Sequence, residues 1–183
     1  MFRSFVEDLR SIDPLRRGPE QMSRLLAAAA QTGEHFEPFV LSPESYTRTC
    51  LFADDRFEVV MLDWAAGASS AIHDHGGQHC WFVVLQGNLI VQNYDRVDDC
   101  GTTGRAVLEW RAWENLDPGA LDVRSGPFDI HRVASNGERA VSLHVYAKPL
   151  SEYLVYEPSL ARCQTARGTY DRVIRPVELG LSP

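Results

Sequence analysis

The sequence predicts a mostly β chain, an antiparallel sandwich or barrel entered through a short helical cap. Two observations lead there. Apolar residues recur at helical spacing over the first forty positions, and from Pro43 onward the chain breaks into short β-rich runs punctuated by Gly, Asn, Asp and Pro rather than βαβ units. At 183 residues the chain has the length of one ordinary domain, read as 1–183 with the cap over 1–40 and the barrel over 44–175.

In the cap, Phe2, Phe5, Val6 and Leu9 form one apolar stripe, and Asp13-Pro14 ends that helix or starts another. A second helix begins near Pro19, buries Met22, Leu25, Leu26 and Ala29, and stops at Gly33. Neither helix carries chemistry, and His35 falls in a polar link behind them.

The barrel opens with strands over Tyr46 to Phe52 and Phe57 to Trp64. Alternation puts Tyr46, Arg48, Cys50 and Phe52 on one face, with Thr47, Thr49 and Leu51 opposite. His79 to Leu85 and Leu89 to Tyr94 form a hairpin about Gln86-Gly87-Asn88, and a polar loop holding Cys100 follows. Arg105 to Arg111 and Leu121 to Arg124 are further strands, with a turn at Pro118-Gly119. In Ala140 to Ala147, Ser142, His144 and Tyr146 share one face and Val141, Leu143 and Val145 the other. The tail reads as a hairpin turning at Arg167-Gly168, with a closing strand over Tyr170 to Ile174 that covers a barrel edge.

Composition excludes several functions. A net charge of -7 and a pI near 5.3 argue against nucleic acid or an anionic membrane as partner. The N-terminus mixes acids and arginines through its apolar residues, unlike a signal peptide, and no later stretch is long enough to span a bilayer. Cys50, Cys80, Cys100 and Cys163 are scattered and form no C-x-x-C pair, so reduced thiols and a cytoplasmic location are expected, and with them a monomer.

Chemistry concentrates between Gly67 and Gly87. His73 and His75 are one residue apart, so on a strand both imidazoles leave the same face and can meet one metal ion. Five residues separate Gly67 from His73 and six separate Cys80 from Gly87, which resembles the first cupin motif with Cys80 at its carboxylate position. Ser125 to Val133 resembles the second cupin motif and offers His131 as third ligand, although Ser135 stands where the pattern has Asn. The resemblance implies a cupin barrel, a double-stranded β-helix or jelly roll.

Three neutral imidazoles suit zinc, iron, copper or manganese alike. Without an acidic ligand the ion keeps its full charge and an open position, which favours a chelating anion such as a thiolate. Arg48 would clamp a substrate carboxylate, for which its planar fork is suited. The strand pair Ser142 and His144 lacks both a G-x-S-x-G elbow and an orienting acid, so a serine hydrolase is set aside.

Tyr46-Thr47-Arg48, His73-Asp74-His75, His79-Cys80, Leu85-Gln86-Gly87-Asn88-Leu89, His131-Arg132-Val133 and Ser142-Leu143-His144-Val145-Tyr146 together resemble the cysteine dioxygenase family. The resemblance implies that His73, His75 and His131 bind Fe(II), that Arg48 and Tyr46 hold the carboxylate of L-cysteine, and that Tyr146 lies beside the open iron positions. It makes Ser142 and His144 the groups that orient Tyr146, makes O2 the co-substrate, and lets Cys80 form a thioether to Tyr146. Cys163 would match a further cysteine near the pocket mouth. The rival readings are a dioxygenase of 3-mercaptopropionate or another thiol acid, which in that subfamily carries glutamine in place of Arg48; a metal-dependent cupin isomerase or quercetin-type dioxygenase, which usually keeps the acidic ligand; and a non-enzymatic metal- or anion-binding cupin.

Overall fold

The computed structural model describes residues 2–12, 18–31, 41, 44–98, 104–126, 129–175 and 178. Asp13-Pro14, Gly33, His35, Pro43, Cys100 and the Pro127-Phe128 pair lie outside the described residues.

Two helices, α1 (Phe2–Ser11) and α2 (Pro19–Gln31), precede the strands. The strands in chain order are β1 (Tyr46–Ala53), β2 (Glu58–Trp64), β3 (Ile72–His73), β4 (Cys80–Gln86), β5 (Leu89–Arg96), β6 (Gly104–Arg105), β7 (Leu108–Leu116), β8 (Leu121–Arg124), β9 (Ile130–Ser135), β10 (Ala140–Tyr146), β11 (Glu152–Glu157), β12 (Arg162–Arg167) and β13 (Arg172–Val173). They form two sheets, one in the order β13-β1-β2-β10-β4-β8 and the other in the order β6-β12-β11-β3-β9-β5-β7. Apart from β13 on β1, every ladder is antiparallel. This is the mostly β cupin barrel with a helical N-terminus that the sequence predicts.

Each face of the first sheet has its own core. Phe5, Val6 and Leu9 of α1 and Met22, Leu26 and Ala29 of α2 pack on Met61, Trp81, Val83, Leu143 and Val145. Burying each of these large side chains is worth roughly 1.5–3 kcal/mol, which holds the cap on the sheet. The opposite face carries Val60, Leu62, Trp64, Phe82 and Val84, which meet Leu89, Val91 and Val133 of the second sheet in the barrel interior. All seven residues of β10 are buried, because its two faces serve these two cores.

Four expectations need correction. Phe52 does not share a face with Cys50: a bulge lets Cys50 pair with Val60 and Phe52 with the next residue back, Val59, which turns Phe52 onto the helix side beside Leu51. The tail hairpin turns at Pro158–Leu160 with Ala161 in the left-handed region, rather than at Arg167-Gly168, and joins β11 to β12. Gly168 instead marks a close crossing, where a Cβ would run into the Leu150 carbonyl. The closing strand shortens to β13, which covers the edge of β1 as a parallel partner. Finally, the strand expected over Arg105 to Arg111 is two strands, β6 on β12 and β7 on β5.

Candidate metal centre

His73 ends β3 and lies directly across from His131 in the β3–β9 ladder, so the pairing itself brings two imidazoles to one face. His75 follows two residues later. The three ring centroids are 4.7, 4.9 and 5.2 Å apart, and one ligand nitrogen from each lies within 4.8 Å of the others. Among the described residues no acidic side chain joins this cluster.

The protonation states suit a cation. Burial holds His75 and His131 well below the ordinary imidazole range, reinforced by the neighbouring imidazoles and by the charge of Arg124. Burial likewise lowers His73 to about 4. His73 Nδ1 lies 3.0 Å from the Ala71 carbonyl, which can only accept, so Nδ1 carries the proton and Nε2 keeps its lone pair. His131 has both ring nitrogens buried without a partner, and His75 has Nδ1 in the same condition. Buried polar atoms left unpaired are costly, and a metal ion bound by the three rings would relieve that cost.

Asp74 fixes the histidine pair from the other side. Its carboxylate accepts bonds from Gly76 N at 3.0 Å, Leu154 N at 2.9 Å and Tyr156 Oη at 2.8 Å, which ties the segment to β11. Gly76, at φ +60°, then turns so close to the Glu152 carbonyl that a Cβ would not fit. Sequence reading passed over Asp74, although the middle residue of His-x-His must face away from the ligands and needs partners of its own.

Beside the histidines, β10 presents Ser142, His144 and Tyr146. Trp64 Nε1 donates to Ser142 Oγ at 3.0 Å, and Ser142 Oγ lies 2.8 Å from His144 Nε2. The His144 ring stacks on Phe82 at 4.6 Å and lies nearly parallel to Tyr146 at 6.1 Å. Cys80 pairs with Tyr146 across the β4–β10 ladder, and its Sγ lies 4.0 Å from His144 Nδ1. Burial raises both the Cys80 thiol and the Tyr146 phenol, so both are neutral. Trp64 and Phe82 were read only as strand residues, since nothing in their spacing tells a core aromatic from a site wall.

Arg48 lines the same pocket as the three histidines, with Tyr46, Tyr146 and Tyr153 around it. Its Nε and Nη2 are buried without a hydrogen-bond partner, which leaves two donors of the fork able to receive a planar anion. Burial opposes its charge, while Tyr146, Glu58 and Tyr153, together with a side-chain hydrogen bond to Tyr146, favour it, and the net effect raises its pKa above the ordinary value. Tyr46 stacks on Trp64 at 5.0 Å, which places its ring at the pocket wall. Cys163 is not at the pocket mouth. It pairs with Tyr156, whose partner Ile72 precedes His73, so Cys163 lies on the opposite face of the second sheet, in a small cluster with Ala106 and Ile130. Tyr153 of β11 occupies the pocket instead.

Behind the centre, a buried polar chain joins the two sheets. Arg124, across from Cys80, is forked onto Asp122 and donates to Asn93 Oδ1 at 2.5 Å. Asn93 is the partner of His131 on β5 and donates to Glu114 at 3.2 Å.

Residues 19–159 match the family model of cysteine dioxygenase type I. The chain is 29% identical over 128 residues to cysteine dioxygenase type 1 of Danio rerio, covering 68% of this chain and 62% of that protein. It is 35% identical over 107 residues to the Rattus norvegicus protein of the same name, covering 57% and 52%. It thus spans between half and two thirds of the length of these relatives. Among solved structures, a cupin superfamily protein of Desulfitobacterium hafniense is 18% identical with a TM-score of 0.45, covering 59% of this chain and 82% of that one. With the family model spanning most of its length, the chain belongs to the cysteine dioxygenase type I family.

Proposed function

We propose that this protein is a thiol dioxygenase that converts L-cysteine and O2 to cysteine sulfinic acid, with Fe(II) held by His73, His75 and His131. The observation that carries this reading is the juxtaposition in one pocket of three neutral histidines, with no acidic ligand among the described residues, and an Arg48 whose Nε and Nη2 are buried without a partner. An ion with only neutral ligands favours an anionic sulfur donor, and an unpaired buried arginine selects a donor that also bears a carboxylate.

Iron held by His73, His75 and His131 would supply the electronic coupling between sulfur and O2. The protein supplies the rest. Arg48 takes the carboxylate in a bidentate grip and the Tyr46 hydroxyl completes that contact, which turns the amine and thiol toward the histidines. Leu62 and Val133 wall the pocket with apolar surface and limit water. The Tyr146 phenol, kept neutral by burial, donates a hydrogen bond toward the oxygen that develops charge. Ser142 and His144, anchored by Trp64, would orient the Tyr146 ring, which lies nearly parallel to that of His144 at 6.1 Å. Both atoms of O2 end on sulfur and the thiol proton is released, so no external reductant is needed. Cys80, the cross-strand partner of Tyr146, would form a thioether to its ring with loss of two electrons and two protons, which reduce O2 to hydrogen peroxide.

Oxygen uptake by the iron-loaded protein with L-cysteine and with 3-mercaptopropionate tests the reading. Preferred turnover of L-cysteine is expected. Retained metal without thiol-dependent uptake would reject the reading in favour of a binding protein, and preference for 3-mercaptopropionate would reassign the substrate.

A further inference from the structure

The tail segment Gly168–Ile174 forms a strap along β1, held at both ends. Gly168 crosses against Leu150 and donates to the Ser151 carbonyl at 3.2 Å, while Ile174 enters the helix-side core and donates to the Cys50 carbonyl at 2.9 Å. Between these anchors β13 pairs with Thr49 and Cys50, and the residue ahead of them, Arg48, is held at both backbone groups by Asp171. Arg48 donates its backbone N–H to Asp171 Oδ2 at 2.8 Å and accepts from Asp171 N at 2.9 Å. The guanidinium Cζ lies 6.0 Å from the Tyr170 ring centroid and 5.8 Å from that of Tyr146, so the two rings flank it.

Glu58 gives this contact a second purpose. It is a fully buried carboxylate near Arg48, and its attraction is among those that raise the Arg48 pKa. A buried anion beside a buried cation would ordinarily pair with it. Here both Glu58 oxygens are engaged elsewhere, one by Leu150 N at 3.0 Å and the other by the Tyr170 hydroxyl. Nε and Nη2 of Arg48 therefore stay without a partner.

We propose that Tyr170 is a positioning residue for Arg48: its ring flanks the guanidinium, and its hydroxyl occupies Glu58 so that the arginine remains free for an incoming carboxylate. The strap thereby sets the preference for thiols that carry one. This inference rests on the reading of Arg48 as the carboxylate receptor.

Binding of L-cysteine and of 2-aminoethanethiol, which lacks the carboxylate, is measured by calorimetry on the Fe(II)-loaded protein without oxygen. The parent is expected to favour L-cysteine, and Tyr170→Phe to cut that preference about tenfold by freeing Glu58 to capture Arg48. Adding Glu58→Gln to Tyr170→Phe removes the competing charge and restores most of the preference. Asp171→Ala, on the exposed side of the strap, loosens the same grip with less risk to folding and is expected to lower the preference about threefold. An unchanged preference in both single variants overturns the proposal, as does an equal loss of affinity for both thiols, which would mark a merely structural role. Oxygen uptake is recorded on the parent in parallel. A parent that prefers L-cysteine but consumes no oxygen with it removes the dioxygenase reading and leaves the strap standing; an active parent whose variants keep their preference removes the strap alone.

Discussion

Cys80 and Tyr146 are direct partners across the β4–β10 ladder, both buried and both on the barrel face that carries the histidine cluster. Cβ atoms of directly opposed residues lie roughly 4.5–5.5 Å apart, so a thioether between the two is expected to form once one of them is oxidised. After repeated turnover with L-cysteine and O2, intact mass should fall by two hydrogen atoms in the parent and stay constant in Cys80→Ser. A parent mass that does not change would remove the cross-link.

Loss of His131 should abolish stoichiometric binding of a divalent ion, because only two imidazoles then remain. Asp74→Asn should weaken metal affinity by roughly 10- to 100-fold, the usual cost of disturbing a group that orients ligands. Metal content by elemental analysis after dialysis separates the two, with loss for His131→Ala and partial retention for Asp74→Asn.

The metal-free protein should be acid-sensitive in a defined window. Burial depresses His73 to about 4, so the unfolded chain takes up a proton near the ordinary imidazole pKa while the folded chain resists it. Stability from this group is full above the ordinary value, falls as pH drops, and is lost once pH passes the folded value, a change of about 3 kcal/mol for such a shift. His75 and His131 shift in the same direction. Urea melts of the metal-free protein between pH 7 and 4 should show a falling midpoint, and His73→Gln should flatten the slope.

Trp64→Phe keeps the ring over Tyr46 but removes the bond to Ser142 Oγ, leaving Ser142 to hold His144 alone. An unsatisfied buried polar group costs about 1–3 kcal/mol. The expected result is a kcat lowered about tenfold with a KM for L-cysteine changed by less than about threefold, since the carboxylate grip is untouched.

Arg124→Met should be destabilising by about 3–5 kcal/mol, because it strands Asp122 as a buried, unpaired carboxylate and unties Asn93 behind His131. The double variant Arg124→Met with Asp122→Leu should recover much of that loss in denaturant melts.

The fold was legible wherever one face of an element met apolar surface. The stripe of α2 names its buried side, and the alternation of β10 sorts its side chains between two cores, while the link between Cys80 and Tyr146 came from the family resemblance alone. The histidine pair was legible for the same reason, since a spacing of two fixes a shared direction. Long-range pairing was not. The bulge that turns Phe52, the parallel docking of β13 on β1 and the placement of Cys163 behind the second sheet depend on register between distant strands, which local pattern does not encode. Glu58, Asp74 and Arg124 were passed over because a charged residue on a strand reads as exposed until its partners, dozens of residues away, are known.

Product labelling with 18O2 tests the central claim most directly. The iron-loaded protein turning over L-cysteine should yield cysteine sulfinic acid in which both sulfinyl oxygens carry the label. A product with one labelled oxygen, or oxidised cysteine whose oxygen comes from water, would contradict it.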